Sequence, residues 1–238
     1  MKKIILVALE ILFCSSLFGV TFAELEAEYK KEHYTVDVKT VRELAEQGQA
    51  VAQYTLGLLY DRGEVIQQDF DEAMKWYHKA AEQGNVLAQQ TLACSYEMGT
   101  KVSKDDEEAV KWLHKAAEQG LDVAQYNLGF AYLYGRGVTQ SYEEAEKYYR
   151  KAAEQGSRIS LLAMGGLYFG ENGYPKNYTE AYFWYSLEAR HGGNTACRDR
   201  AASKLAPAER DEVQARCKQW LDRYDKGHGD ASGSLNEF

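Results

Sequence analysis

Internal periodicity constrains this chain more than any other feature of its sequence. The tetrapeptide Ala-Glu-Gln-Gly occurs at 45–48, 81–84, 117–120 and 153–156, a step of 36 residues each time, and Gly192 continues the series. Other positions keep the same step. Leu56, Leu92 and Leu128 are followed by Met164, and Ala52, Ala88 and Ala124 by Ser160. Tyr60, Tyr96, Tyr132 and Tyr168 recur, as do Ala73, Ala109, Ala145 and Ala181, and then Trp76, Trp112, Tyr148 and Trp184. A fixed period of this length marks an array of small supersecondary units. No unit can bury its apolar faces alone, so the units stack.

Each unit reads as two helices. Ala52, Leu56, Leu59 and Tyr60 fall at i, i+4, i+7 and i+8, on one face of a first helix. Ala73, Trp76, Tyr77, Ala80 and Ala81 do the same for a second. Between them lies a loop with Gly63, Gly99 or Gly135, residues able to end a helix at positive φ. The second helix has a start signal: Asp69 with Glu72, Asp105 with Glu108, Ser141 with Glu144 and Asn177 with Glu180. This is capping-box spacing. The first residue is expected to accept from an orphan N–H, and the Glu to reach back to the cap. Gly57, Ala93, Gly129 and Gly165 share one slot inside the first helix. Gly there costs about 0.5–1 kcal/mol against Ala, which implies a close helix crossing filled by a nearby Trp or Tyr.

The pattern Ala-x-x-x-Leu-Gly-x-x-Tyr, then Gly, then Asp-x-x-x-Ala-x-x-Trp-Tyr-x-Lys-Ala-Ala-Glu-Gln-Gly resembles the Sel-one-like repeat, a relative of the tetratricopeptide repeat. Residues 52–84 fit it almost throughout, and the likeness covers roughly 45–192. The second unit departs with Ala93. The fourth departs with Ser160, Met164, Glu171 and an irregular loop over 170–175. The resemblance implies an all-α, right-handed α-solenoid that scaffolds protein complexes, with first helices lining a concave surface. The slots of Tyr54, Leu58, Asp61 and Arg62 vary between units, unlike the positions that build the array. On that surface Tyr54, Tyr126, Phe130, Tyr134 and Phe169 are the expected aromatic anchors, with Arg62 and Glu97 adding charge specificity. The alternative is that these rings pack between repeats.

The ends differ from the array. Lys2-Lys3, the apolar stretch 4–20 and Thr21-Phe22-Ala23 read as a secretory signal peptide over residues 1–23. Residues 24–36 form a charged segment, and 37–47 look like the end of a helix covering the first unit. Beyond Gly192 the frame fails. Residues 194–205 and 208–224 read as a shorter capping hairpin with Pro207 at its turn, and 225–238 as a flexible tail. Cys197 and Cys217 each lie ten residues from Pro207, at equal height in such a hairpin. A disulfide is expected between them in an exported chain, worth roughly 3 kcal/mol by loop closure. The alternative is two buried thiols, and Cys94 is expected to be a lone thiol.

Catalysis finds no support. The chain has no Ser-x-x-Lys, no His-Glu-x-x-His and no Cys-x-x-Cys. His78 and His114 share a slot, but too few ligands accompany them for a metal site. The acidic run at 105–108 suits a helix N-terminus better than a cation. No cofactor or metal is expected. The net charge of −8 excludes an ordinary nucleic-acid binder. The expected function is a non-catalytic interaction scaffold, periplasmic or secreted, that holds a protein or peptide and has no membrane span once the leader is removed. The alternatives are a host-directed secreted or surface factor and, behind it, a β-lactam or cell-wall-ligand-binding hydrolase.

Overall fold

The computed structural model describes residues 37–190, 192–193 and 195–228. The expected leader (1–23), the charged segment (24–36) and residues 229–238 of the expected tail lie outside the described residues. Eleven α-helices and no strand occur among the described residues: α1 Val38–Glu46, α2 Ala50–Arg62, α3 Phe70–Glu82, α4 Val86–Met98, α5 Asp106–Glu118, α6 Asp122–Tyr134, α7 Tyr142–Glu154, α8 Arg158–Phe169, α9 Tyr178–Arg190, α10 Thr195–Ala202 and α11 Pro207–His228. The even-numbered helices α2 to α8 are the first helices of the four repeats, and the odd-numbered α3 to α9 the second. The last helix extends a turn beyond its expected end. The fold class is an all-α solenoid of four helix–turn–helix repeats followed by a shorter terminal pair.

The chain divides into two compact units, one of residues 37–95 with 100–102, the other of 96–99 with 103–228. In the first, α1 starts at its own cap, where Asp37 accepts from the Lys39 N–H. Val41 and Ala45 of α1 pack with Ala52 and Leu56 of α2, and Trp76 of α3 covers them. In the second, Tyr149 of α7, Leu161 and Met164 of α8, Trp184 and Tyr185 of α9, Ala201 of α10 and Val213 of α11 share one core.

The small residue inside the first helix has a specific partner. A Cβ on Gly57 would lie 2.7 Å from the Tyr77 ring, and one on Gly129 2.7 Å from Tyr149. Gly165 faces Tyr185 in the same way. The ring that fills the crossing is therefore Tyr77, Tyr149 or Tyr185 and not the Trp76, Tyr148 or Trp184 beside it. Where the sequence has Ala93 in the glycine slot, it has Leu113 in the tyrosine slot.

A polar ladder runs beside this apolar one. Gln53, Gln89 and Gln125 are buried, and each donates its side-chain amide to the carbonyl of the Ala that opens Ala-Glu-Gln-Gly: Ala45 at 3.1 Å, Ala81 at 3.0 Å and Ala117 at 3.2 Å. The Gln of the following tetrapeptide then donates to the buried one, Gln83 to Gln53 at 2.6 Å and Gln155 to Gln125 at 2.8 Å. The tetrapeptide thus does more than end a helix. In the fourth repeat the buried slot is Leu161, and the sequence has His191 where the donor Gln would stand.

All four expected caps form. Asp69, Asp105, Ser141 and Asn177 accept from the N–H of Glu72, Glu108, Glu144 and Glu180 at 3.0–3.2 Å. The reciprocal half of the box is a correction. The cap residue's own N–H donates to the carbonyl of Tyr60, Tyr96, Tyr132 or Tyr168 at 2.8–3.0 Å. That donor is already taken, so the glutamates turn to cations instead: Glu72 to Lys75, Glu108 to Lys111, Glu144 to Lys147 and Glu180 to Arg216.

The expected Cys197–Cys217 bridge is also corrected. Cys197 and Cys217 are free thiols, and no disulfide joins any of the cysteines among the described residues. The two terminal helices each lie against α9 rather than forming a hairpin closed upon itself. Cys217 is buried with its thiol directed at the Phe183 carbonyl of α9, 3.7 Å away. Cys197 lies instead near Tyr185 and Arg200. Burial pushes the Cys217 thiol up to about 11, which leaves it a packing group.

Candidate interaction site

On α6, Val123, Tyr126, Phe130 and Tyr134 recur at i, i+3, i+7 and i+11, one stripe along the helix. The stripe is open at both ends: Val123 is 47% exposed and Tyr134 50%. Its middle is anchored. The Tyr126 ring lies 5.5 Å from Tyr149 at 37°, and burial raises its hydroxyl above the ordinary tyrosine value. Phe130 lies 4.5 Å from Tyr134, with the Arg136 guanidinium 4.9 Å above its ring. The Tyr134 hydroxyl donates to the Asn172 side-chain oxygen at 3.2 Å. The stripe is therefore held in place by its own neighbours while one edge of it faces solvent. In the same unit, Ile159 and Leu162 of α8 are 51% and 42% exposed.

The other expected residues are distributed as follows. Phe169 ends α8 in the same unit, 5.3 Å from Tyr178, with the Arg200 guanidinium 4.4 Å over its ring. It belongs to an Arg200–Glu171 cluster rather than to the α6 stripe. Glu97 is half-buried near the end of α4. In the first unit, Tyr54 packs 5.7 Å from Tyr77 at 41° and Arg62 is exposed in the last turn of α2. Tyr54 and Tyr126 thus combine both readings of the sequence, since each forms part of its hairpin's interior and also borders the variable face.

Sequence comparison between repeats missed one component. Val51, Leu87, Val123 and Ile159 occupy one slot, 36 residues apart. Agreement between repeats suggests core, yet Val51, Val123 and Ile159 are among the exposed apolar residues. The signal was available, because this slot lies three residues before the variable Tyr54 slot, on the same face.

The histidine slot is polar packing. The two His114 ring nitrogens lie 3.2 Å from the Tyr132 hydroxyl and 3.4 Å from that of Tyr148, and burial lowers the imidazole below its ordinary value. In the next repeat the slot is Arg150, which binds Glu146 and Tyr168. Burial opposes the Glu146 charge, but hydrogen bonds from Arg150, Tyr174 and Tyr168 outweigh it and hold the carboxyl low. Among the described residues, no group of three or more His, Cys, Asp or Glu could hold a metal ion. No helix among them is long and apolar enough to cross a membrane.

Helical hairpins of one length, repeated along the chain on a shared frame, define the class of solenoid repeat proteins. The chain belongs to the Sel1 repeat family, whose repeat matches residues 50–85, 86–121, 122–157 and 159–192. Such repeats commonly serve as protein–protein interaction scaffolds and are generally non-catalytic. No curated protein matches the chain. Among solved structures it is similar to a protective antigen present in uropathogenic Escherichia coli strains that displays an SLR fold. The identity is 35% and the TM-score 0.64, over 81% of this chain and 41% of that one. It is also similar to a Sel1 repeat protein from Oxalobacter formigenes, at 29% identity and TM-score 0.59, over 76% of this chain and 78% of that one. The chain thus spans less than half the length of the first.

Proposed function

We propose that this protein is a non-catalytic adaptor, exported to the periplasm or beyond, that holds a protein or peptide on the first-helix face of its second unit. The α6 stripe carries the reading. Tyr and Arg are enriched among the side chains that dominate interface energetics, and Phe is enriched in interface cores. Here Phe130, Tyr134 and Arg136 stand together at a partly exposed edge, fixed by the Tyr126–Tyr149 packing and the Asn172 hydrogen bond. A face already ordered before binding loses little side-chain entropy when a partner lands. Export is supported by the leader pattern at 1–23.

The test is in-cell crosslinking of the tagged protein in its native compartment, with mass spectrometry of what it captures. The expected result is a dominant protein partner whose affinity falls about tenfold or more in Tyr134→Ala and Phe130→Ala. Unchanged affinity in both variants would remove the stripe from the binding surface. One observation favours a second reading, a host-directed surface or secreted factor: the similar E. coli protein is a protective antigen. Protein found outside the outer membrane would support that reading, and strict retention in the periplasm would oppose it.

A further inference from the structure

On the second-helix side of the same unit, α7, α9 and α11 border a cleft of about 440 Å³. That volume falls within the range of ligand pockets. Three guanidiniums, Arg150, Arg216 and Arg223, meet a single carboxylate, Glu154, in a chain whose net charge is −8. Two of the cations are held by their surroundings. Arg150 donates to Glu146 at 2.7 Å and lies 5.2 Å from the centre of the Trp184 ring. Arg216 grips Glu180 with both terminal nitrogens, at 2.7 and 2.8 Å, and lies 4.0 Å over Phe183. Arg223 differs. Its Nε donates to the Gln219 carbonyl of its own helix at 3.3 Å, and no carboxylate among the described residues pairs with it.

Beside Arg223 lies an aromatic plate. Trp220 and Tyr224 stack at 5.1 Å and 12°, and the Tyr224 hydroxyl fixes the plate by donating to the Gln155 carbonyl at 3.1 Å. Trp184 in the wall is 1% exposed, and its indole N–H has no acceptor among the described residues. Buried donors are normally matched. The wall thus holds a buried donor with no acceptor among the described residues, and a flat apolar surface lies next to Arg223, the lining guanidinium that no described carboxylate pairs.

We propose that this cleft is a second binding site, separate from the α6 stripe, for an acidic peptide segment of a partner protein. A carboxylate of the segment pairs with the Arg223 guanidinium in the two-pronged geometry that arginine favours. A neighbouring aromatic side chain of the segment packs on the Trp220–Tyr224 plate. The Arg223 guanidinium selects acidic over basic segments, and the plate selects a peptide with an apolar residue over a bare anion. No residue of the cleft belongs to a first helix, so the site does not depend on the function proposed for α6.

The test uses the full chain and a fluorescein-labelled Glu-Glu-Phe-Glu-Glu peptide, with fluorescence anisotropy as readout. Two comparison peptides replace every Glu with Lys or the Phe with Ala. The acidic peptide is expected to bind saturably, the Lys peptide at least tenfold more weakly, and salt to weaken the complex. Arg223→Glu, an exposed position that leaves the fold intact, and Trp220→Ala are each expected to lower affinity about tenfold. Tyr134→Ala leaves it unchanged. Equal binding of the Lys peptide, or indifference to both cleft variants, would overturn the proposal. Loss of binding in Tyr134→Ala alone would move the peptide to the α6 stripe. Binding that appears only after residues 229–238 are deleted would give the cleft to this chain's own acidic C-terminal segment and overturn the assignment to a partner.

Discussion

The hairpins α2–α3 and α6–α7 have the same frame and different faces. In both, a glycine admits a tyrosine ring, Gly57 to Tyr77 and Gly129 to Tyr149. In both, a second tyrosine lies against the first, at 5.7 Å and 41° or at 5.5 Å and 37°. In both, a buried glutamine donates to the preceding repeat's alanine carbonyl and accepts from the next tetrapeptide. The slot that follows the ring differs. In α2 it is Asp61, which accepts from the Tyr77 hydroxyl at 2.9 Å and is paired with Lys101. In α6 it is Leu133, which is buried in the core. Arg62 of α2 becomes Tyr134 of α6, and Leu58 becomes Phe130. One hairpin thus closes its crossing with charge and presents Arg62. The other closes it with hydrocarbon and presents rings. In these two hairpins the shared glycine, tyrosine and glutamine build the frame, while Arg62 and Tyr134 set what each presents.

The strongest way to break the comparison is to move the charge to the wrong hairpin. Leu133→Asp places a carboxylate at a position only 5% exposed, where the sequence has no counterpart of Lys101. An unpaired buried charge costs on the order of 3–5 kcal/mol. Urea unfolding is expected to show a loss of that size. A loss below about 1 kcal/mol would mean that water reaches this side of α6 and that the two faces are interchangeable.

The frame itself can be tested at its tightest point. Gly129→Ala places a methyl 2.7 Å from the Tyr149 ring. Overpacking of this kind costs about 1–3 kcal/mol, more than the alanine gains in helix propensity. The second repeat already shows how the clash is avoided, since it pairs Ala93 with Leu113 in these slots. Adding Tyr149→Leu to Gly129→Ala is therefore expected to recover part of the loss. If the double variant is no more stable than the single one, the two slots are not coupled through this crossing.

The sequence showed some of this directly and concealed the rest for physical reasons. The repeat period, the four caps and the close crossing were legible because each leaves a local signature: a spacing, a cap residue, a glycine where glycine is costly. The glutamine ladder was not, since a polar residue recurring every 36 positions reads as surface until its partners are seen. Nor was the other bond of the caps, because the competing acceptor, the Tyr60 carbonyl or its equivalents, lies in another helix. The packing of the terminal helices is hidden for a related reason. Apolar stripes show which faces are buried but not against what, so the spacing of Cys197 and Cys217 suggests a facing pair although α10 and α11 both turn toward α9. Of the residues proposed for interaction, the α6 set is the one that variation between repeats singles out. The Arg223 cleft is not, because α11 lies outside the repeat frame and offers nothing to compare.

A smaller test sharpens the comparison from the first hairpin. Asp61→Asn keeps a hydrogen-bond acceptor for Tyr77 and removes the charge that faces Lys101. The Lys101 and Asp61 side chains are 21% and 15% exposed, so the pair is partly screened by protein and partly by water. The ammonium can also turn outward when its partner is lost. The expected cost is therefore about 1 kcal/mol, measured as a shift of the urea midpoint, and it should shrink at high salt. A cost that does not change with salt would mean that Asp61 acts through the Tyr77 hydroxyl and not through charge. The first hairpin would then differ from α6–α7 only in having a polar residue at the end of the same crossing, and Lys101 would be no part of its closure.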